Sequence, residues 1–139
     1  MKDFIANIFE LWGGFYMGDF SKYMYKADLY GEVGLVVLLV PLIVFFIYYK
    51  PLDHIKSAKL SIWLGLLLVV SLIVSLITYN ITDSGIADYL MKHKIKQTRI
   101  EDMDYIWFSI ITFVYSALLS FSFSCIFKKG ADRTRRIPF

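Results

Sequence analysis

Side chains able to do chemistry are few in this sequence, and their spacing keeps them apart. Cys125 is the single cysteine, so no internal disulfide can form and the thiol does not reveal a compartment. The two histidines, His54 and His93, fall in different polar stretches with a long uncharged run between them. Expected on opposite sides of the membrane, they cannot ligate one haem in the bilayer, and no Ser-His-Asp arrangement is recognised around either. No HExxH, CxxC or phosphate-binding glycine loop occurs. Five carboxylates, Asp83, Asp88, Glu101, Asp102 and Asp104, lie in one polar stretch and could in principle attract a cation. The simpler reading is a helix start: Thr98-x-x-Glu101 has the spacing of a capping box, and the acidic residues after it suit the positive end of a helix dipole. Asn80-Ile81-Thr82 is formally a glycosylation sequon, but it sits at the edge of an apolar run and reads as chance.

Hydroxyl and small side chains form the clearer pattern. Ser61, Gly65, Ser71 and Ser75 fall within an arc of about 120° when placed on a helix. Ser109, Thr112, Ser116, Ser120 and Ser124 recur at helical spacing along a later segment, with Ile111, Val114, Leu118 and Phe121 on the opposite face. Small residues let helix backbones approach, and hydroxyls can bond between helices in a membrane. These two stripes are therefore expected at a helix–helix interface, within the chain or with a neighbouring subunit. The competing expectation is that the hydroxyl stripe lines an aqueous path.

The third feature is the basic tail KKGADRTRRIPF. Its five Lys/Arg residues suit anionic headgroups. Its last residues, Arg135, Arg136, Ile137, Pro138 and Phe139, combine charge with a large aromatic and suit a pocket on a partner.

The elements that would position these groups are set by composition. Of 139 residues, 58% are hydrophobic and 19% charged, against roughly 45–50% and 25% in ordinary soluble domains. A soluble globule of this size could not hide so much apolar surface from water, and the same composition excludes a disordered chain, a disulfide scaffold and a collagen-like fibre. Three uncharged runs, at about 33–49, 60–81 and 105–127, each approach the roughly 20 residues that cross a bilayer as a helix. Three such runs could not close a barrel. The fold class expected is an all-α integral membrane protein of three transmembrane helices, preceded by short amphipathic interfacial helices.

Residues 1–32 carry those interfacial helices. Lys2 followed by Asp3, with no small-x-small site after the apolar stretch, argues against a cleaved signal peptide. Asp3 is expected to cap a first short helix that ends at Gly13-Gly14, and Asp19 a second. In the second, Phe20, Tyr23, Met24 and Ala27 share one face, while Ser21, Lys22, Lys26 and Asp28 turn away. The apolar face would lie on lipid or on a partner subunit. Pro41 is expected to kink the first span. Residues 33–127 then hold the transmembrane domain, with an outer loop at 82–104 in which Asp83 or Ser84 would cap a separate helix through about Lys96. Residues 128–139 form the tail.

Charge gives the orientation. The N-terminal segment and the second loop together hold 7 Lys/Arg and 10 Asp/Glu, whereas the first loop and the tail hold 8 and 2. Basic excess marks the cytoplasmic side, so the N-terminus is expected outside and the C-terminus inside a cell (inner) membrane. No span contains an ionisable residue of the kind that intramembrane enzymes and proton-coupled carriers use. The expectation is a non-enzymatic subunit of a larger membrane complex, such as an envelope-spanning secretion or injection machine. Its partners would be the bilayer and other membrane subunits, self or hetero, with no cofactor, metal, nucleic acid or small-molecule substrate. The alternative is a homo-oligomeric pore that resembles the three-span, N-out holins in topology only.

Overall fold

The structure, a computed structural model, describes residues 2–10, 18–49, 60–95 and 100–128. Five helices account for nearly all of them, α1 (Lys2–Phe9), α2 (Asp19–Lys26), α3 (Leu29–Tyr49), α4 (Leu60–Lys92) and α5 (Asp102–Phe127), and no strand occurs among the described residues. Helices α3, α4 and α5 are long and apolar enough to cross a membrane. The fold is thus all-helical, with three candidate spans.

Helix α4 departs from the expected layout. It runs unbroken for 33 residues, or about 50 Å, where a span ending near Ile81 and a separate capped helix were expected. Polar side chains that look like loop starters bond backward instead. Ser84 Oγ donates to the Asn80 carbonyl at 2.6 Å, Asn80 Nδ2 to the Leu76 carbonyl at 2.8 Å, and Thr82 Oγ1 to the Thr78 carbonyl at 3.0 Å. Each satisfies itself on the preceding turn and leaves the helix intact. The end comes later, where Lys94 takes a left-handed φ of 53°. Its N–H donates to the Met91 carbonyl at 3.2 Å and that of Ile95 to Leu90 at 3.1 Å, the paired bonds of a Schellman stop.

Two other expected caps are revised. Gly18, with φ 55°, precedes α2, and Asp19 is its first residue, so Asp19 faces Lys22 one turn on, 4.0 Å away. Asp3 likewise stands inside α1. At α5, Glu101 N–H donates to Asp104 Oδ2 at 3.1 Å, which is the reciprocal half of a capping box. Thr98 lies outside the described residues, as do Gly13, Gly14, the first loop and the tail from Lys129 onward. Pro41 stands buried inside α3 without ending it.

All three long helices bury a row at a spacing of four residues. In α3 the row is Leu29, Val33, Val37, Pro41, Phe45 and Tyr49; in α4 it is Val70, Val74, Thr78, Thr82 and Ile86; in α5 it is Phe108, Thr112, Ser116, Ser120 and Ser124. Four residues exceed one turn by about 40°, so each buried row winds slowly around its helix. The remaining faces expose large apolar side chains such as Leu35, Leu76 and Leu118.

By its contacts the chain divides into two units, one of residues 1–36 and 75–112, the other of 37–74 and 113–139. In the first unit, α1 and α2 dock on the long helices. Phe9 packs on Tyr30 and Phe108, Phe20 on Tyr105 and Phe108, and Tyr23 on Tyr89. Phe20, Tyr23 and Met24 are buried, so the face expected against lipid or a partner is covered by the chain itself. Ser21, expected to turn outward, is buried as well. A two-residue corner joins α2 to α3: Asp28 adopts φ 62° and its N–H donates to the Tyr25 carbonyl at 3.2 Å. Aspartate tolerates this left-handed conformation better than most residues.

In the second unit the core gathers Phe45, Tyr48, Tyr49 and Trp63, with Leu66, Leu67, Phe123 and Phe127 packed around them.

Candidate functional site

Side chains expected to form helix interfaces separate into two groups. On α5, Ser109, Thr112, Ser116, Ser120 and Ser124 are all buried within the chain. On α4, Ser71 is buried and Ser75 half-buried, but Ser61 and Gly65 are exposed, and nothing lies within 4 Å of a Cβ placed on Gly65. A fixed arc misses the winding of the α4 row, which turns Ser61 and Gly65 outward.

The buried hydroxyls do different work. In the first unit, Ser75 Oγ donates to the Ser109 carbonyl at 2.9 Å, tying α4 to α5. Ser109 Oγ and Thr112 Oγ1 donate within α5, to Tyr105 and Ser109 carbonyls at 2.8 and 2.9 Å. In the second unit, Ser71 Oγ donates to the Leu67 carbonyl at 2.9 Å, and Ser124 forms a hub. Its Oγ accepts Trp63 Nε1–H at 2.8 Å and shares a 2.6 Å bond with the Tyr49 hydroxyl. One hydroxyl thus joins α3, α4 and α5. By contrast, Thr78 Oγ1, Ser116 Oγ and Ser120 Oγ are buried with no hydrogen-bond partner.

Among the described residues, two grooves in the first unit collect polar groups. One, of about 330 Å³, lies between α1 and α2 and is lined by Asn7, Glu10, Ser21, Lys22, Tyr25 and Lys26. Glu10 is held there by the Tyr30 hydroxyl, which donates to its Oε1 at 2.5 Å. The other, of about 400 Å³, lies where Leu29 and Glu32 meet α4 at Ser84, Asp88, Tyr89 and Lys92. Gly85 belongs to its wall and admits the Leu29 side chain, whose Cδ1 and Cγ stand 2.9 and 3.2 Å from where a Cβ would sit.

No group of three or more His, Cys, Asp or Glu side chains able to hold a metal comes together among the described residues, so the five carboxylates are not assembled into a cation site. His93 stacks on Tyr89 with centroids 4.2 Å apart. Cys125 is a half-buried free thiol. The five residues expected to dock a partner, Arg135 to Phe139, lie outside the described residues.

The Ser124–Trp63–Tyr49 hub was only partly signalled in the sequence. Ser124 is visible as the last member of the α5 repeat, but nothing in the spacing points to Trp63 and Tyr49 as its partners. No protein-family model matches the chain, and neither a curated protein nor a solved structure matches it.

Proposed function

We propose that this chain is a small, non-enzymatic subunit of a membrane complex, with its N-terminus outside and its C-terminus in the cytoplasm. The observation that carries this reading is the division of labour on α5. Its hydroxyl row is enclosed within the chain, while its other faces present Ile106, Ile110, Val114, Leu118 and Ile126 outward. Contacts in the plane of the membrane then fall to apolar side chains, which suit lipid or another membrane protein. A pore built from several copies would need the hydroxyl row turned toward water, so its burial favours the subunit reading. Orientation rests on the Lys/Arg asymmetry alone.

Purification in mild detergent tests the proposal. The chain is expected to leave the membrane with other subunits, identified by mass, and a reporter fused after Phe139 is expected to be active only in the cytoplasm. A lone chain that conducts ions after reconstitution into liposomes would overturn the subunit reading in favour of the pore.

A further inference from the structure

The groove between α1 and α2 brings together charges of both signs that no reading above assigns. Lys22 and Lys26 stand one turn apart on the same helix, both exposed. Lys22 is only loosely engaged, 4.0 Å from Asp19 Oδ1 and 5.9 Å from the centre of the Tyr23 ring. The wall formed by α1 supplies the opposite charge, the half-buried Glu10, which the Tyr30 hydroxyl holds in place through one of its two oxygens. Asn7 adds an amide beside it. A paired cation site facing an anchored carboxylate fits a zwitterion, with a phosphate on the lysines and an ammonium on the glutamate.

The surroundings choose among zwitterions. A quaternary ammonium is usually recognised by a cage of aromatic faces, and among the described residues that line this groove Tyr25 is the one ring. A primary ammonium instead donates hydrogen bonds, which the Glu10 carboxylate and the Asn7 amide oxygen accept. Phe4 and Tyr25 are exposed on the same two short helices, at 67% and 47%, where large aromatics suit the membrane–water boundary. The α2–α3 corner also sets this groove beside the entry of a candidate span.

We propose that the α1–α2 groove binds the head group of a phospholipid with a primary ammonium, its phosphate on Lys22 and Lys26 and its ammonium on Glu10. The proposal rests on reading α3, α4 and α5 as membrane spans, so incorporation into phosphatidylcholine nanodiscs is measured first. A chain that fails to incorporate removes the ground of both readings; one that incorporates passes to the lipid test.

There the full chain, in mild detergent, is titrated with phosphatidylethanolamine, phosphatidylcholine and phosphatidylglycerol of identical acyl chains, and retention is read by native mass spectrometry. Phosphatidylethanolamine is expected to be retained about tenfold more than either other lipid, as one charge-assisted hydrogen bond allows. Lys22→Gln with Lys26→Gln is expected to lose that retention. Glu10→Gln keeps an oxygen for Tyr30 and is expected to reduce phosphatidylethanolamine to the level of phosphatidylcholine. Lys26→Gln alone, at an exposed position, repeats the test with little risk to folding. Equal retention of the three lipids overturns the site, as does a preference that survives all these substitutions. Displacement of the lipid by free phosphoethanolamine at equal concentration overturns the lipid assignment in favour of a soluble phosphate ester.

Discussion

The unit of residues 1–36 and 75–112 and the unit of residues 37–74 and 113–139 hold the same three long helices by different means. The first adds two short helices and spreads the load over many rings, with Phe108 against Phe9, Phe20 and Tyr30, and Phe9 stacked on Tyr30. The second adds no further helix among the described residues. It gathers an aromatic cluster around one polar point, where the Ser124 hydroxyl meets Trp63 and Tyr49. A distributed contact degrades gradually under mutation, whereas removing one shared hydroxyl takes a hydrogen bond from two buried side chains at once. The two units should therefore differ most in their response to a single deleted atom.

The largest expected effect follows directly. Ser124→Ala removes the acceptor of Trp63 Nε1–H and the partner of the Tyr49 hydroxyl together. Losing a buried hydrogen bond costs about 1–3 kcal/mol when a partner is left unsatisfied in a protein interior, but hydrogen bonds between membrane helices average about 0.6 kcal/mol and reach about 1.7. A loss of about 2 kcal/mol is expected, read as a shift of the unfolding midpoint in a mixed-micelle denaturant titration. An unshifted midpoint would remove the hub from the account.

In the first unit, backbone proximity should matter more than any one hydroxyl. Gly85→Ala would press a methyl group into the buried Leu29 side chain, and overpacking of this kind costs about 1–3 kcal/mol. A loss of about 1.5 kcal/mol is expected by the same titration. Gly65→Ala, on the same helix but facing open space, gains helix propensity without a clash and should leave stability equal or higher. If the two alanines behave alike, close approach at Gly85 does not hold Leu29.

The same contrast explains what could be read from the sequence. Three long apolar helices were legible because uninterrupted apolar runs of that length have few other uses. The α5 row was legible because small hydroxyl residues recur at every fourth position or close to it among large ones. The α3 row was not, since Leu29, Val33, Val37, Phe45 and Tyr49 lie among residues just as apolar, and polarity does not separate inside from outside when the exterior is lipid-like. The continuity of α4 through Asp83 and Ser84 was hidden for another reason. Serine, threonine and asparagine can start a helix or bond back within one, and only the geometry at Asn80, Thr82 and Ser84 decides. For α1 and α2 the amphipathic face was legible but its cover was not, because periodicity shows that a face is apolar and leaves open what lies on it. The lysine–glutamate groove has no signature in the sequence, because its charges come from Glu10, just after α1, and from Lys22 and Lys26 on α2.

The smallest expected effect tests the comparison most closely, because it uses the same residue type on the same row. Ser116 and Ser120 stand eight and four residues before Ser124 on α5 and are as fully buried, yet neither hydroxyl has a hydrogen-bond partner. Ser116→Ala and Ser120→Ala each remove one oxygen, lose no bond, and relieve a polar atom that gained nothing from burial. Alanine is also the better helix former by a few tenths of a kcal/mol. Stability is therefore expected to stay level or rise by up to about 0.5 kcal/mol. Because these hydroxyls share no partner with Ser124, the cost of Ser124→Ala should be the same in the parent and in a Ser116→Ala/Ser120→Ala background, within the additivity of unconnected sites. Ser116→Leu differs in kind, since it forces a bulky side chain into a fully buried position and should destabilise the chain itself. Should either alanine variant cost as much as Ser124→Ala, the row must hold a bridging water at that position, and burial without a partner would no longer distinguish these hydroxyls from the hub.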